Sequence, residues 1–595
     1  MSSETDRSVD SPADPEARSK RLTGAPFWAA FAMTVVALFI TVNQMFNLGL
    51  GGFRPVSTGY YYLIIGLFGG LGFLAFPARK GETRVRWYDW LLTAAWLGSS
   101  IWLASRAQQI IDRGWNLEAP LEATLVAGLY VALALEALRR TGEFILFAFC
   151  IVFAAYPLYA GSMPGFLWGV QLDLAQTVTE HVYGLESIIG IPMQVVSDTL
   201  IGFIVFGVVL ANTGGSSFFM NFASALMGRT RGGPAKVAIV SSGLFGMLSG
   251  SPTSNVLTTG TLTIPTMKRS GYDPVYAGAV EACASTGGCL MPGDQVPRLF
   301  ATFVEGWYYI MALVGLTLLL LMWRMEGEAP FWISLFLLSV AVLRRKAIGF
   351  DFRAFCQLVV DTGQAVAQLV CLIAGIGLII GAMSITGVAN SFSRELVQYA
   401  GGNLALLLAA GAVTSFVLGM GMTASACYIF LAIVLAPALV QVGIDPMAAH
   451  LYIFYWGMVS FITPPVALAA IAAASIAKAD AMRVGFKALR IGCLLLLLPV
   501  LFVLQPALIL KGDTLLVIQS AATATMAVIL LSAAFEGYLW RLGRLPVWAR
   551  LGFGIGGLML FVPEGLTDLM GLLLAVAAGI AALVGKRLTE GKVIR

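Results

Sequence analysis

Charge is what this sequence has least of. Only 12% of its 595 residues are Asp, Glu, Lys or Arg, and 58% are hydrophobic, whereas a soluble domain carries about 25% charged residues. With a mean hydropathy of +0.84, a water-soluble globule is excluded. Histidine is nearly absent as well: His181 and His450 are the two, and neither has a second ligand at metal-binding spacing. The seven cysteines, Cys150, Cys283, Cys289, Cys356, Cys371, Cys427 and Cys493, form no CxxC pair. Almost all fall in apolar runs and read as small buried hydrophobes. The sequence has no HExxH, no nucleophile elbow and no intact phosphate-binding loop, which argues against a zinc protease, an α/β-hydrolase and hydrolysis of ATP by this chain. It also lacks a polar segment long enough to fold alone, since the longest outward candidate, 161–184, is too short for its own core. The net charge of +5 sits in loops, where it speaks to topology and not to nucleic acid.

What the chain does have is apolar runs of bilayer-spanning length, recurring from Pro26 to about Leu583. By that rule there are roughly 14 to 16 membrane segments, including hairpins that need not cross. Residues 1–25 are polar and read as a disordered cytoplasmic tail. Residues 26–160 carry candidate spans at 26–50, 59–76, 88–104, 121–138 and 142–159, the first four forming a separable bundle. Basic clusters at Arg79, Lys80, Arg84 and Arg86, and at Arg139 and Arg140, alternate with these spans and place the amino terminus inside. A further span is expected near 200–220, and residues 511–595 hold two or three more. Residues 551–583 cross once or fold back at Pro563-Glu564-Gly565.

Residues 185–510 contain a duplication. Pro265, Gly271, Asp273, Pro274, Ala277 and Pro292 recur, 172 positions on by subtraction, as Pro437, Gly443, Asp445, Pro446, Ala449 and Pro464. Each copy opens with a hairpin, at about 236–270 and 404–442, whose tip is a glycine- and hydroxyl-rich break in an apolar run. The turn of the first copy carries Lys268 and Arg269, whereas the matching turn, 441–445, has no basic residue. The positive-inside rule therefore gives the copies opposite orientations, the inverted repeat of secondary transporters.

A cluster of Gly, Ser and Asn within a membrane segment costs about 1 kcal/mol per glycine and frees carbonyls that lipid cannot satisfy. Neutral hard oxygens on such a break suit Na⁺ better than zinc or copper, and half-helix N-termini suit anionic substrate groups. The candidate sodium ligands are Ser249, Ser251, Asn255, Ser285, Thr286 and Gly288 in the first copy. In the second they are Gly421, Thr423, Ser460 and Thr463. Ser254, Ser425, Pro464, Asp294 and Arg298 are candidates for the substrate, the last two as an i, i+4 charge pair just past the first break.

At these residues the chain resembles the tripartite ATP-independent periplasmic (TRAP) transporters, specifically the fused permeases of the TAXI branch. The motifs are Gly232-Gly-Pro-Ala-Lys236, Thr259-Gly-Thr-Leu-Thr-Ile-Pro265, Met267-Lys-Arg-Ser-Gly-Tyr272, Ala277-Gly-Ala-Val-Glu-Ala282, Ala284-Ser-Thr-Gly-Gly288 and Ile462-Thr-Pro-Pro-Val-Ala-Leu468. The resemblance runs from about Leu121 to Leu583 and is most specific between Gly232 and Pro292. Where the family usually continues with two prolines and an apolar stretch, this chain reads Met291-Pro-Gly-Asp-Gln-Val-Pro-Arg298. The resemblance implies a small four-helix subunit fused to a large transport subunit, sodium coupling, elevator movement and a separate periplasmic solute-binding protein.

The expected fold is an all-α integral membrane protein of the bacterial or archaeal inner membrane. It joins a four-helix small-subunit-like bundle to an inverted-repeat, elevator-type transport domain with two helical hairpins. The expected activity is Na⁺-coupled import of a small organic anion, with no other cofactor. The alternative is a membrane-embedded enzyme acting on a lipid or small molecule, with Asp294, Glu281 or His450 as acid or base.

Overall fold

The computed structural model describes residues 21–79, 82–142, 144–227, 230, 232–249, 252–287, 299–344, 350–401, 403–419, 424–464, 467–539, 542–561 and 565–593. Among these, helix dominates, and the strand pairing present is a two-residue ladder joining Tyr538–Leu539 to Gly543–Arg544. Nine helices among the described residues are long and apolar enough to cross a bilayer, and six shorter apolar helices accompany them. The chain is a multi-pass, all-α membrane protein. It divides into two compact units: Met1–Ala225 with Pro297–Phe392 and Gly421–Phe430, and Leu226–Val296 with Ser393–Met420 and Leu431–Arg595.

The first unit is organised around one helix, Phe352–Ile385, of 34 residues. At 1.5 Å per residue it is about 50 Å long, well beyond the roughly 30 Å hydrocarbon core. Its most apolar window is 89% buried, so its hydrophobicity faces protein and not lipid. Ala25–Met45, Ser57–Ala75, Leu121–Thr141, Phe144–Ala154 and Ile201–Asn212 all pack on it. Small residues permit that approach: a Cβ on Gly363 would stand 2.0 Å from Thr34 Oγ1, and one on Gly381 2.3 Å from Ser187 Cβ. The expected span near 200–220 is two helices, Ile201–Asn212 and Gly215–Met227. Gly214, at φ +97°, breaks the run, and the Tyr309 hydroxyl satisfies the freed carbonyl of Thr213.

Two polar centres lie in this unit. Asp89, fully buried in the first turn of Trp87–Ser105, accepts from Arg21 at 2.6 Å, Arg140 at 2.7 Å and the Arg86 amide at 2.8 Å. Arg21 also donates to the carbonyls of Leu74, Glu82 and Arg84, tying the start of the first span to the loop before Trp87. His181 is buried between Ser187 Oγ (2.8 Å from Nδ1) and Ala154 O (3.0 Å from Nε2). Burial pushes its imidazole down to about 4, and with both ring nitrogens bonded it has the surroundings of a satisfied, neutral core histidine.

The second unit turns the sequence duplication into matching geometry. The second hairpin arm of the first copy is Pro252–Arg269; in sequence its counterpart is Ala424–Gln441, interrupted at Leu435, of which the part from Leu431 belongs to this unit and the part before it to the first. The following helices, Pro274–Gly287 and Pro446–Val459, each have 14 residues and the same 172-residue offset at both ends. The intervening turns agree bond for bond. Gly271 at φ +87° and Gly443 at φ +92° each close a left-handed helix end. The amides of Gly271 and Tyr272 reach Lys268 O and Met267 O, both at 3.0 Å. Those of Gly443 and Ile444 reach Val440 O and Leu439 O at 2.9 and 3.2 Å. These are paired helix-ending bonds that glycine favours. Asp273 and Asp445 then cap the next helix through the Tyr276 and Ala448 amides, with proline at the first position. Gly271→Ala and Gly443→Ala are expected to cost nearly equal amounts, about 1 to 2 kcal/mol each. Thermal unfolding of the two variants checks this.

The carboxy-terminal segment folds back. Val547–Met559 and Gly565–Val593 pack as an antiparallel pair, with Gly552 facing Ala578 and Gly556 against Gly571. The expected turn residues Pro563 and Glu564 lie outside the described residues.

Candidate functional site

The first copy places a row of polar groups on the facing sides of Pro252–Arg269 and Pro274–Gly287. Asn255, Thr259 and Thr263 recur every four residues, which puts them on one face of the hairpin arm, and Glu281 and Ser285 do the same on the helix that follows. All five are at most 3% exposed. Thr259 Oγ1 donates to Glu281 Oε1 at 2.7 Å, Ser285 Oγ to the same oxygen at 3.3 Å, and Thr263 Oγ1 to Oε2 through a short bond. Because the two helices run antiparallel from the turn at Gly271, Asn255 lies near the level of Ser285. Asn255 Oδ1 is buried and has no hydrogen-bond partner. Such an acceptor costs about 1 to 3 kcal/mol and fits a cation.

In the second copy, Ser460 is buried and donates to Gly457 O at 2.7 Å. A Cβ on Gly419 would stand 2.5 Å from Gly457 O and 2.7 Å from Ser460 Oγ, so the end of Leu404–Gly419 is brought directly onto Ser460. Trp456, one turn earlier, holds its indole Nε1 buried without an acceptor. A buried donor without a partner fits an anionic oxygen.

The remaining candidates fall less neatly. Thr286 returns its hydroxyl to Ala282 O (2.9 Å) on its own helix, and Thr463, in the bend past Pro446–Val459, donates to Val459 O (2.8 Å) at that helix's end. Pro464 packs against Gly485, where a Cβ would stand 2.9 Å from its Cγ. Ser249, Ser254 and Ser425 are helical, their side chains outside the described set. Ser251, Gly288, Asp294, Arg298, Gly421 and Thr423 lie outside the described residues. Sequence reasoning did not include Thr259, Thr263, Glu281 or Trp456 among the ion or substrate ligands. The first three were findable, because two i, i+4 pairs flank one turn and one member is a carboxylate in an apolar helix.

At the turns, Lys268 donates to Ala477 O at 2.6 Å and Lys487 stands 5.1 Å over the Tyr276 ring, gathering basic residues from distant segments around the first turn. At the second turn Lys511 pairs with Asp445, supplying from afar the base that 441–445 lacks. That hydrogen bond holds the half-buried Asp445 carboxyl below the usual carboxylate range.

Two stretches, 129–301 and 293–512, match the family model for the tripartite ATP-independent periplasmic transporter, DctM component. Curated relatives agree. The chain is 23% identical over 316 residues to the C4-dicarboxylate TRAP transporter large permease protein DctM of Pseudomonas aeruginosa, covering 45% of this chain and 74% of that protein. It is 24% identical over 332 residues to the isethionate TRAP transporter permease protein DctMQ of Oleidesulfovibrio alaskensis, covering 47% of this chain and 52% of the relative. It is 29% identical over 161 residues to the sialic acid TRAP transporter permease protein SiaT of Haemophilus influenzae, covering 24% of each.

Proposed function

The chain belongs to the DctM-component family of tripartite ATP-independent periplasmic transporters, which are permeases and not enzymes, and from that premise we propose that it imports a small carboxylate or sulfonate anion with Na⁺. The observation that carries this reading is a buried polar atom with an unmet need in a helix of each copy, of opposite kind in the two. The first copy offers an orphan acceptor at Asn255, the second an orphan donor at Trp456. A cation and an anion would answer them. Relatives named for C4-dicarboxylate, isethionate and sialic acid support an acidic solute. The motifs of the TAXI branch support a fused small subunit at 26–160 and a transport subunit at 185–510. The proposal includes an inner-membrane location, a cytoplasmic amino terminus and elevator movement of the inverted repeats. It also includes a separate periplasmic binding protein that delivers the solute.

The test is uptake of a radiolabelled C4-dicarboxylate, isethionate or sialic acid into liposomes holding the purified chain. Uptake should require a sodium gradient, stay poor alone, and rise to saturation as the cognate binding protein is added. Vigorous sodium-driven uptake by the chain without any partner would refute the tripartite part and leave the symporter part standing.

Asn255→Ala tests the ion site. Sodium for half-maximal uptake should rise about tenfold, the equivalent of roughly 1.4 kcal/mol. Thermal stability in sodium-free buffer should hold or rise, because the variant removes a buried unmet acceptor. An unaltered sodium titration would reject Asn255 as a ligand.

A further inference from the structure

The loop joining Ser57–Ala75 to Trp87–Ser105 holds basic side chains that the fold does not use. Residues 77–88 include Arg79, Lys80, Arg84 and Arg86 against one acidic residue, Glu82. The Glu82 carboxylate accepts from the Tyr88 hydroxyl at 2.9 Å. Neighbouring cations are committed elsewhere: Arg21 and Arg140 pair with Asp89, and Arg139 with Glu136. Lys80 lies outside the described residues. Arg79, Arg84 and Arg86 are exposed, and among the described residues no hydrogen bond or ion pair engages their guanidiniums. The backbone beneath them is nevertheless held from inside. Arg139 Nη1 donates to Ala78 O at 3.1 Å, and Arg21 Nη1 donates to Glu82 O at 3.3 Å and Arg84 O at 3.2 Å. A frame fixed in this way lowers the ordering cost of binding.

Arg79 and Arg86, with Ala78, Glu82, Trp87 and Tyr88, line a recess of about 430 Å³, within the roughly 300 to 1,000 Å³ of small-ligand pockets. From that recess an apolar stripe runs along Trp87–Ser105. Trp87, Trp90, Leu91, Ala94, Gly98 and Ile101 are exposed at the three- and four-residue spacing of one helical face. Thr93, Trp96, Ser100 and Leu103 are buried on the other, and the helix packs on Ser57–Ala75. A Cβ on Gly98 would meet nothing within 4 Å, so the middle of the stripe is an open, shallow trough. Unpaired arginines at the head of such a stripe match an amphipathic anion, whereas a free phosphate would use the arginines alone.

We propose that the recess at Arg79 and Arg86 is a binding site for an anionic phospholipid, its phosphate held by the two guanidiniums and one acyl chain laid along Trp90, Leu91, Ala94 and Gly98. Guanidiniums suit a phosphate because they bond its oxygens in pairs and are weakly hydrated. Trp87 and Trp90 have the amphipathic rings that settle at headgroup level. The site needs only that the chain crosses a membrane, and it stands whether or not the sodium reading holds.

Native mass spectrometry of the purified full chain, titrated with phosphatidylglycerol or phosphatidylcholine, tests the site. The first phosphatidylglycerol should bind more tightly than the first phosphatidylcholine. Combining Arg79→Gln with Arg86→Gln should weaken the phosphatidylglycerol by about 25-fold, or about fivefold for each charge removed. Both side chains are exposed and unbonded, so their loss leaves the folded chain intact. Arg106→Gln with Arg113→Gln removes the same charge beyond the opposite end of Trp87–Ser105 and should leave that binding unchanged. Equal weakening by the two pairs would reduce the effect to net charge and overturn the site, as would the absence of any preference for phosphatidylglycerol. Millimolar inorganic phosphate should fail to displace the bound lipid; displacement would give the recess to a free anion and overturn the lipid assignment.

Discussion

Asp89→Asn is expected to be the most damaging single substitution in the first unit, lowering stability by about 3 to 5 kcal/mol. The change keeps the shape of the side chain and removes only its charge. Two guanidiniums, each 1% exposed, then lose their shared counter-charge. Arg140 would retain Glu136 at 2.8 Å and the face of Phe73 at 5.0 Å, but the bonds left to Arg21 among the described residues are to the backbone carbonyls of Leu74, Glu82 and Arg84. Size-exclusion profiles of detergent-extracted protein after graded heating would measure the loss. Combining Asp89→Asn with Arg21→Met should cost less than the two single losses together, because each single change leaves an uncompensated charge that the double change removes. Additive losses would show that the three charges act independently.

That centre also marks where the sequence stops being readable. Hydropathy located the first spans to within a few residues, because lipid enforces a run of apolar side chains whatever their partners are. The 26–50 expectation became Ala25–Met45, and 121–138 became Leu121–Thr141. Charges, by contrast, enter a topology argument as counts. Arg139 and Arg140 read as equivalent topogenic residues, yet Arg140 is buried against Asp89 while Arg139 pairs with Glu136 at the surface. Arg21 and Asp89 are 68 residues apart, and nothing in their local sequence announces the pairing. The Thr213-Gly214 break was hidden for a different reason: a single glycine in an apolar run is as compatible with close helix packing as with an interruption. The duplicated turns were legible because glycine, aspartate and proline at fixed spacing each answer a specific backbone demand. The buried row at Glu281 was only half legible, since the i, i+4 pattern was present but the facing of the two helices depends on the turn between them.

Cysteines introduced at Ser270 and Gln441, in a background without native cysteines, are expected to react from opposite faces of the membrane. Both positions are exposed and sit just before the left-handed glycine or within two residues of it, so access and local geometry are closely matched and sidedness is the variable left. The first turn collects Lys268, Arg269, Lys478 and Lys487, drawn together by the Lys268 bond to Ala477 O and the Lys487 stack on Tyr276. The second turn holds Lys511, neutralised by Asp445. Retention of basic residues on the cytoplasmic side therefore favours the first turn by several charges. The structural match makes the contrast meaningful: two turns with the same bonds and caps differ in what surrounds them, which is what an inverted repeat requires and a tandem repeat in one orientation does not. A membrane-impermeant maleimide should label Ser270→Cys in inside-out vesicles and Gln441→Cys in right-side-out vesicles, each near completion and at background in the other preparation. Labelling of both from one face would remove the inverted repeat, and with it the elevator movement proposed here, while leaving membership of the permease family untouched.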